Sequence, residues 1–270
     1  MKRKKVGIIG CGAIGRVIGE YLAEGKISHL KLDCAYDIDP KRLDSLTDKY
    51  QIKKAKNVDE VVKRVDLVVE SANVSVVREL LVKCVEHRKD VLVISIGGLL
   101  DCQDLFPKAE KAGIKILAPS GAISGIDAVK AANVGKIKRI TLTTYKPPKG
   151  LEGVNYIAQR GIDLTNIHED TEVFYGTVRE AVKNFPKNIN VAATVSLAAG
   201  MPKDMFVRIV ASPSLKNNIH ELKVEGKHGT IITRTENVPS PKNPKTSFMA
   251  VLSALRKLQD YDRSGLLIGT

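Results

Sequence analysis

Apolar positions in the first 117 residues fall into short unbroken runs that alternate with stretches where they recur every three or four places. The runs at residues 6–9, 30–36, 66–70, 91–96 and 114–117 predict strands buried on both faces, because a half-exposed strand would alternate apolar with polar. The stretches at 40–49, 58–64, 74–87 and 103–112 predict helices, and Pro40 suits a first helical turn. Such alternation implies a parallel sheet covered by helices on both faces. Beyond Pro119 the pattern changes. A small-residue turn at 120–125 leads to a helix at 126–133 and a long alternating strand at 137–145. Further strands are predicted at 171–175, 205–211, 218–224 and 230–235, with helices at 178–184 and 191–199. Adjacent strands joined by turns such as 225–229 imply an antiparallel or mixed sheet. A last helical pattern covers 244–258. The expected division is a first domain at 1–118, a second at 119–243, and a C-terminal segment at 244–270 whose helix is free to return to the first domain.

One turn in this pattern carries chemistry. The strand at 6–9 runs directly into Gly10, Cys11, Gly12, Ala13, Ile14 and Gly15, and a helical pattern from Arg16 to Glu24 follows. In that order of elements Gly10 makes the tight turn, Gly12 leaves room for a pyrophosphate, and Gly15 lets helix and strand pack closely. The free amides at the helix start, from Ala13 and Ile14 onward, then face the phosphates with the positive end of the helix dipole. Asp37 lies 22 positions beyond Gly15 at the end of the next strand, where a carboxylate accepts hydrogen bonds from an adenosine ribose. The implied fold class is α/β, a Rossmann-type doubly wound parallel sheet with a second mixed α/β domain, and the implied cofactor is a dinucleotide.

At 270 residues and 43% hydrophobic composition, the chain is long enough for one large or two modest domains. Its 43 Lys and Arg against 30 Asp and Glu give a formal net charge of +13, which raises the question of a nucleic-acid partner. The basic residues are interspersed with acids, and aromatic residues make up only 4%, leaving no base-stacking platform. No nucleic-acid partner is expected; the charge reads as a lysine-rich surface that attracts anionic substrates and cofactors. No apolar run approaches the ~18 residues of a membrane span, and the apolar run after the basic residues 2–5 is too short for a signal peptide. No membrane association and a cytoplasmic location are the expectation. Cys11, Cys34, Cys84 and Cys102 lack C-x-x-C spacing, so they read as reduced packing thiols rather than a disulfide or metal framework.

Candidate chemistry lies beyond the strand ends, where open parallel sheets bind ligands. Residues 70–73 and 95–98 are small and polar there, and read either as neighbours of a nicotinamide ribose or as ordinary turns. His220 is the leading candidate for proton transfer: within 218–224 the two-residue period sets it on the face of Leu222 and Val224. Spacing alone also accommodates a hydrogen-bonded core histidine. His29, His87 and His228 fall in loops or at helix ends, and His168 in a polar, exposed run. Asn190 precedes the small-residue helix at 191–199, as an N-cap with its amide near a ligand or as a cap alone. The proline-rich stretch 236–247 sets Asn243, Lys245, Thr246 and Ser247 at a predicted helix start, suited to holding a carboxylate but equally to a stiff connection.

Taken together, GIIGCGAIG at 7–15, PSGAISGIDA at 119–128, KPP at 146–148, NFPKNINVAAT at 184–194, NIH at 218–220 and NPKTS at 243–247 resemble the L-aspartate dehydrogenase family. The first segment is generic to dinucleotide enzymes; the last four in combination are specific. The resemblance implies reversible oxidative deamination of L-aspartate to oxaloacetate and ammonia through iminoaspartate, with NAD or NADP as hydride acceptor. It also implies a homodimer and a role in supplying iminoaspartate to NAD biosynthesis through the quinolinate pathway. By the same carry-over His220 occupies the position of the family's catalytic histidine, and Ala122 and Asn190 match cofactor contacts. Lys245 is the cation expected to pair with the substrate's second carboxylate. Three other readings share the glycine loop. A reductase of the dihydrodipicolinate or homoserine type brings second-domain motifs that are missing here. An aspartate-semialdehyde enzyme requires a nucleophilic cysteine in the second domain, whereas all four cysteines precede position 103. A non-catalytic dinucleotide sensor has no use for His220.

Overall fold

A computed structural model of the protein describes residues 3–185, 190–201, 205–240, 243–262, 265–266 and 268, with the side chains of 243–246 outside the described part. The chain forms two compact units, Met1–Pro119 with Val251–Arg263, and Ser120–Ala250 with Ser264–Thr270.

The first unit runs β1 (Lys4–Ile9), α1 (Ala13–Ala23), β2 (Leu30–Tyr36), α2 (Pro40–Tyr50), β3 (Lys53–Lys54), α3 (Val58–Arg64), β4 (Leu67–Glu70), α4 (Val74–His87), β5 (Asp90–Val93), α5 (Phe106–Ala112) and β6 (Ile116–Leu117). Its six strands are parallel in the order β3-β2-β1-β4-β5-β6. The order reverses between β1 and β4, which is where such sheets open a crevice beyond the strand ends. Val6, Ile8, Leu67 and Val69 are fully buried, as strands covered on both faces require. The strand expected to continue to residue 96 stops at Val93, and Ile96–Asp101 winds into a 3-10 helix instead. Gly98 packs there against α4, where a Cβ would come within 2.7 Å of Val77.

The second unit runs α6 (Ile126–Val134), β7 (Ile137–Lys146), α7 (Asn155–Gln159), β8 (Thr171–Thr177), α8 (Val178–Asn184), α9 (Asn190–Ala198), β9 (Met205–Ala211), β10 (Asn218–Gly226), β11 (Gly229–Asn237), β12 (Pro239–Ser240) and β13 (Asn243–Ser247), and then leads into α10 (Phe248–Asp260). Its main sheet is mixed, ordered β11-β10-β7-β9-β8, with only β7 and β9 parallel. Ile140 and Leu142 of β7, Val207 and Ile209 of β9, and Leu222 and Val224 of β10 form its buried face.

The expected C-terminal helix is shorter than its pattern. The helical pattern at 244–258 begins as a helix only at Phe248; residues 243–247 form β13, paired antiparallel with β12. Pro40 opens α2 because the extended residue before it, Asp39, serves as the helix cap. Pro244 likewise drives its predecessor, Asn243, towards extended backbone, but here β12 is at hand to pair with the extended segment. The remainder of the pattern is real. Val251, Ala254, Leu255, Leu258 and Tyr261 join the core of the first unit with Ile8, Leu22 and Leu30, and the Tyr261 hydroxyl donates to Asp90 Oδ2 at 2.7 Å.

Candidate active site

At the end of β1 the three glycines do three different jobs. Gly10 has φ +91°, and a Cβ there would lie 2.6 Å from the backbone of Ser71. A Cβ on Gly15 would lie 1.9 Å from the Gly10 carbonyl oxygen, so helix and turn are in direct contact. A Cβ on Gly12 would meet nothing within 4 Å. The space beside Gly12 is open where a pyrophosphate approaches a dinucleotide loop. The helix behind it is prepared for an anion: α1 has Gly12 at its N-cap and, among the described residues, no side-chain cap, whereas Asp39, Asn57 and Asn73 cap α2, α3 and α4. Gly10, Gly12, Ala13, Ile14 and Gly15 therefore fit a dinucleotide phosphate.

Asp37 closes the loop from the end of β2. Its Oδ2 accepts from the Cys11 amide at 2.6 Å and its Oδ1 from the Asp39 amide at 2.8 Å. A carboxylate has about four acceptor sites, so capacity remains for ribose hydroxyls. Behind it, Arg42 pairs with Asp39 at 3.2 Å. Cys11 is buried, and burial beside the Asp37 charge pushes its thiol up to about 12, which leaves it a packing group.

The two polar turns after β4 and β5 are joined by Glu70. This fully buried carboxylate accepts from the Ser95 amide at 2.9 Å, the Ser95 hydroxyl at 2.9 Å and the Ala72 amide at 2.8 Å. Burial raises its pKa, and those hydrogen bonds oppose the rise. Ser71 next to it donates to the Gly10 carbonyl at 2.7 Å. The sequence flags both turns by their small polar residues, but the buried acid that ties them ends an otherwise apolar strand and gives no periodic signal.

In the second unit a polar row crosses the buried face at one register. Thr144 of β7 pairs with His220 of β10, which pairs with Thr235 of β11. Thr144 Oγ1 and His220 Nδ1 are 2.9 Å apart, and the Thr235 hydroxyl accepts from the Ser124 amide at 3.1 Å. Burial and the nearby Lys146 charge lower the His220 pKa to about 4, so the imidazole is neutral at pH 7. Lys146, two residues beyond Thr144 on the same face, is also buried, and burial lowers its pKa to about 8. The turn at 120–125 is fastened to the same strands: buried Asn237 donates to the Ala122 carbonyl at 3.0 Å and accepts from the Ser247 hydroxyl at 2.6 Å.

His220 and Ala122 are thus both buried in the second unit, linked to neighbouring positions of β10 and β11. Asn190 is exposed and is the first residue of α9 rather than its cap; its carbonyl accepts from the Thr194 hydroxyl at 2.8 Å. Ser247 ends β13 and directly precedes Phe248, the first residue of α10, whereas the backbones of Asn243, Lys245 and Thr246 lie within β13, their side chains outside the described residues. Sequence reasoning named Lys146 only within the KPP segment at 146–148 and assigned it no place on the face of His220. Its signal was available: it stands in phase with Ile140, Leu142 and Thr144 on the inward face of the strand, directly before two prolines.

Residues 127–261 match the family model described as aspartate dehydrogenase, C-terminal, and residues 10–119 match that described as homoserine dehydrogenase, NAD binding domain. The chain is 43% identical over 260 residues to the L-aspartate dehydrogenase of Methanosarcina mazei, covering 94% of this chain and 96% of the relative. It is 44% identical over 263 residues to that of Methanococcoides burtonii, again covering 94% and 96%. Among solved structures it is similar to aspartate dehydrogenase from Thermotoga maritima, with TM-score 0.78 and 28% identity over 99% of this chain and 100% of that one. The N-terminal match is common to several dinucleotide enzymes; the C-terminal match disfavours the homoserine-type alternative.

Proposed function

The chain belongs to the L-aspartate dehydrogenase family of NAD-linked oxidoreductases, and on that premise we propose that it catalyses the reversible oxidative deamination of L-aspartate to oxaloacetate and ammonia through iminoaspartate. One observation carries the reading: a buried, neutral histidine, held at Nδ1 by Thr144, in the half of the chain that matches the aspartate dehydrogenase family model. The bound dinucleotide supplies a hydride acceptor for the substrate α-carbon.

The residues divide the work. Gly10, Gly12, Ala13, Ile14 and Gly15 hold the phosphates through backbone amides, and Asp37 holds the adenosine ribose, which favours NAD over NADP because a carboxylate repels a 2′-phosphate. Ala122 and Asn190 complete the cofactor contacts. With Nδ1 bonded to Thr144, His220 exchanges protons at Nε2, taking one from the water that attacks the imine carbon and returning it to the departing ammonia. Asn243, Lys245, Thr246 and Ser247 hold the distal carboxylate; support comes from the Ser247 hydroxyl, which is anchored on the Asn237 that also bonds Ala122. The protein works as a cytoplasmic homodimer, consistent with four free buried thiols, and its iminoaspartate feeds NAD biosynthesis. A non-catalytic dinucleotide sensor leaves His220 without a role.

The test is formation of NADH from NAD and L-aspartate by the purified protein, followed by absorbance, with the reverse reaction from oxaloacetate, ammonia and NADH. Turnover in both directions is expected. No turnover in either direction overturns the reading.

A further inference from the structure

Glu70 is fully buried at the end of β4, and strand order decides what lies beside it. In the order β3-β2-β1-β4-β5-β6 the glycine loop follows β1, and Asp37 follows β2 on one side of it. A dinucleotide with its phosphates on that loop and its adenosine ribose at Asp37 therefore runs its other half to the opposite side, over the ends of β4 and β5. Adjacent strands are about 5 Å apart, so these two ends lie about 5 and 10 Å from β1, the span of a ribose and a nicotinamide ring.

The pairing of β4 with β5 ends at Glu70 and Val93. The Ile94 amide still donates to the Glu70 carbonyl at 2.9 Å, and the Ser71 amide to the Ile9 carbonyl at 2.8 Å. Beyond those bonds one chain turns into α4 and the other into the 3-10 helix at Ile96–Asp101. The Glu70 side chain continues the connection across the turns. Its Oε1 accepts from the Ala72 amide at 2.8 Å and the Ser95 hydroxyl at 2.9 Å, and its Oε2 accepts from the Ser95 amide at 2.9 Å.

Only a carboxylate satisfies this arrangement. The two backbone amides point at different oxygens, so a glutamine in either orientation would set its NH2 against one of them. Four registers of backbone pairing already join β4 to β5, and a buried charge is a costly way to reinforce a joined sheet. What the charge adds is a fixed course for both turns at the crevice.

We propose that Glu70 is a positioning residue for the nicotinamide half of the cofactor: by drawing the Ala72 and Ser95 amides onto one carboxylate it fixes the two turns along which the second ribose and the nicotinamide lie. This rests on the reading of the chain as an NAD-linked dehydrogenase.

The test compares wild type, Glu70→Gln and Ser95→Ala by calorimetric titration with NADH and with ADP, and by aspartate kinetics at saturating NAD. ADP carries the adenosine ribose and both phosphates but neither the second ribose nor the nicotinamide. Glu70→Gln is expected to raise the NADH Kd about tenfold or more with the ADP Kd within about twofold, and to lower kcat about tenfold or more because the ring is misplaced for hydride transfer. Ser95→Ala keeps the backbone amide bonds and should show a smaller loss, again confined to NADH. Unchanged NADH affinity in a folded Glu70→Gln protein overturns the proposal. Equal losses for NADH and ADP overturn it too, since a purely structural role spreads to the whole loop. If Glu70→Gln does not fold, the same comparison in Ser95→Ala decides. Absence of aspartate turnover in wild type is the separate failure of the dehydrogenase reading, and the two titrations still read Glu70 in that event.

Discussion

His220 and Lys146 show how burial sets the function of single residues. An imidazole at pKa about 4 is a base that remains neutral through the physiological range, with Thr144 fixing which nitrogen is free to react. His220→Ala is expected to lower turnover by roughly 10²-fold or more with little change in NAD affinity, measured by steady-state kinetics and NADH fluorescence titration. Retention of most turnover at saturating aspartate would remove His220 from the reaction. The same shift makes a stability prediction. The folded pKa lies below the unfolded value of 6.5, so the unfolded chain takes up the proton first, and stability is lost as pH falls from about 6.5 through 4. Relative to His220→Gln, wild type is expected to lose on the order of 3 kcal/mol more over that interval, read from denaturant unfolding at each pH.

At the scale of the element, the β1–α1 turn separates fold from binding within one loop. Gly15 is required by contact with the Gly10 carbonyl, whereas Gly12 borders open space. Gly15→Ala is therefore expected to destabilise the protein by about 2 kcal/mol or more through overpacking. Gly12→Ala should melt like wild type and raise the NAD KM by roughly tenfold or more, because the added methyl occupies the approach of the pyrophosphate. Thermal melts and cofactor kinetics on the pair distinguish these effects, and a Gly12→Ala protein with normal NAD affinity would show that the dinucleotide sits elsewhere. Asp37 belongs to the same element. Wild type is expected to prefer NAD, and Asp37→Ser should narrow the ratio of kcat/KM for NAD over NADP by about tenfold. A wild-type preference for NADP would count against Asp37 as the ribose ligand.

For the whole molecule, substrate choice tests how the parts combine. The net charge of +13 favours anionic ligands in general but selects none of them. Selection of aspartate requires a cation and donors at the distance of its second carboxylate, and the segment with Lys245 is assigned that task. Lys245→Met is expected to weaken aspartate binding by about 1.5 to 3 kcal/mol while NAD binding stays within a few tenths, and wild type should turn over alanine and glutamate poorly. An unchanged aspartate KM in Lys245→Met would make residues 243–247 a connecting strand only.

The sequence by itself determined what local periodicity and fixed spacing encode. The first unit's parallel sheet, the glycine loop with its acid at Asp37, and the inward face of His220 were all legible, because strand period, helix period and glycine sterics act over a few residues. Residues 244–247 show the limit: helical spacing continued through them, but Pro244 and pairing with β12 made them a strand, and only the later turns of the pattern joined the first unit's core. Tertiary structure alone decided which distant polar groups meet. Glu70 with Ser95, Asn237 with Ala122 and Ser247, and Thr144 with His220 are separated by 25 to 115 positions or by ten across a turn; strand register makes the last pair, and turns held against the strand ends make the others. Lys146 was visible in the inward phase of β7, but its burial beside His220, and hence the lowered pKa of both, exists only once β7 and β10 are paired, because desolvation is a property of the assembled sheet and not of any segment.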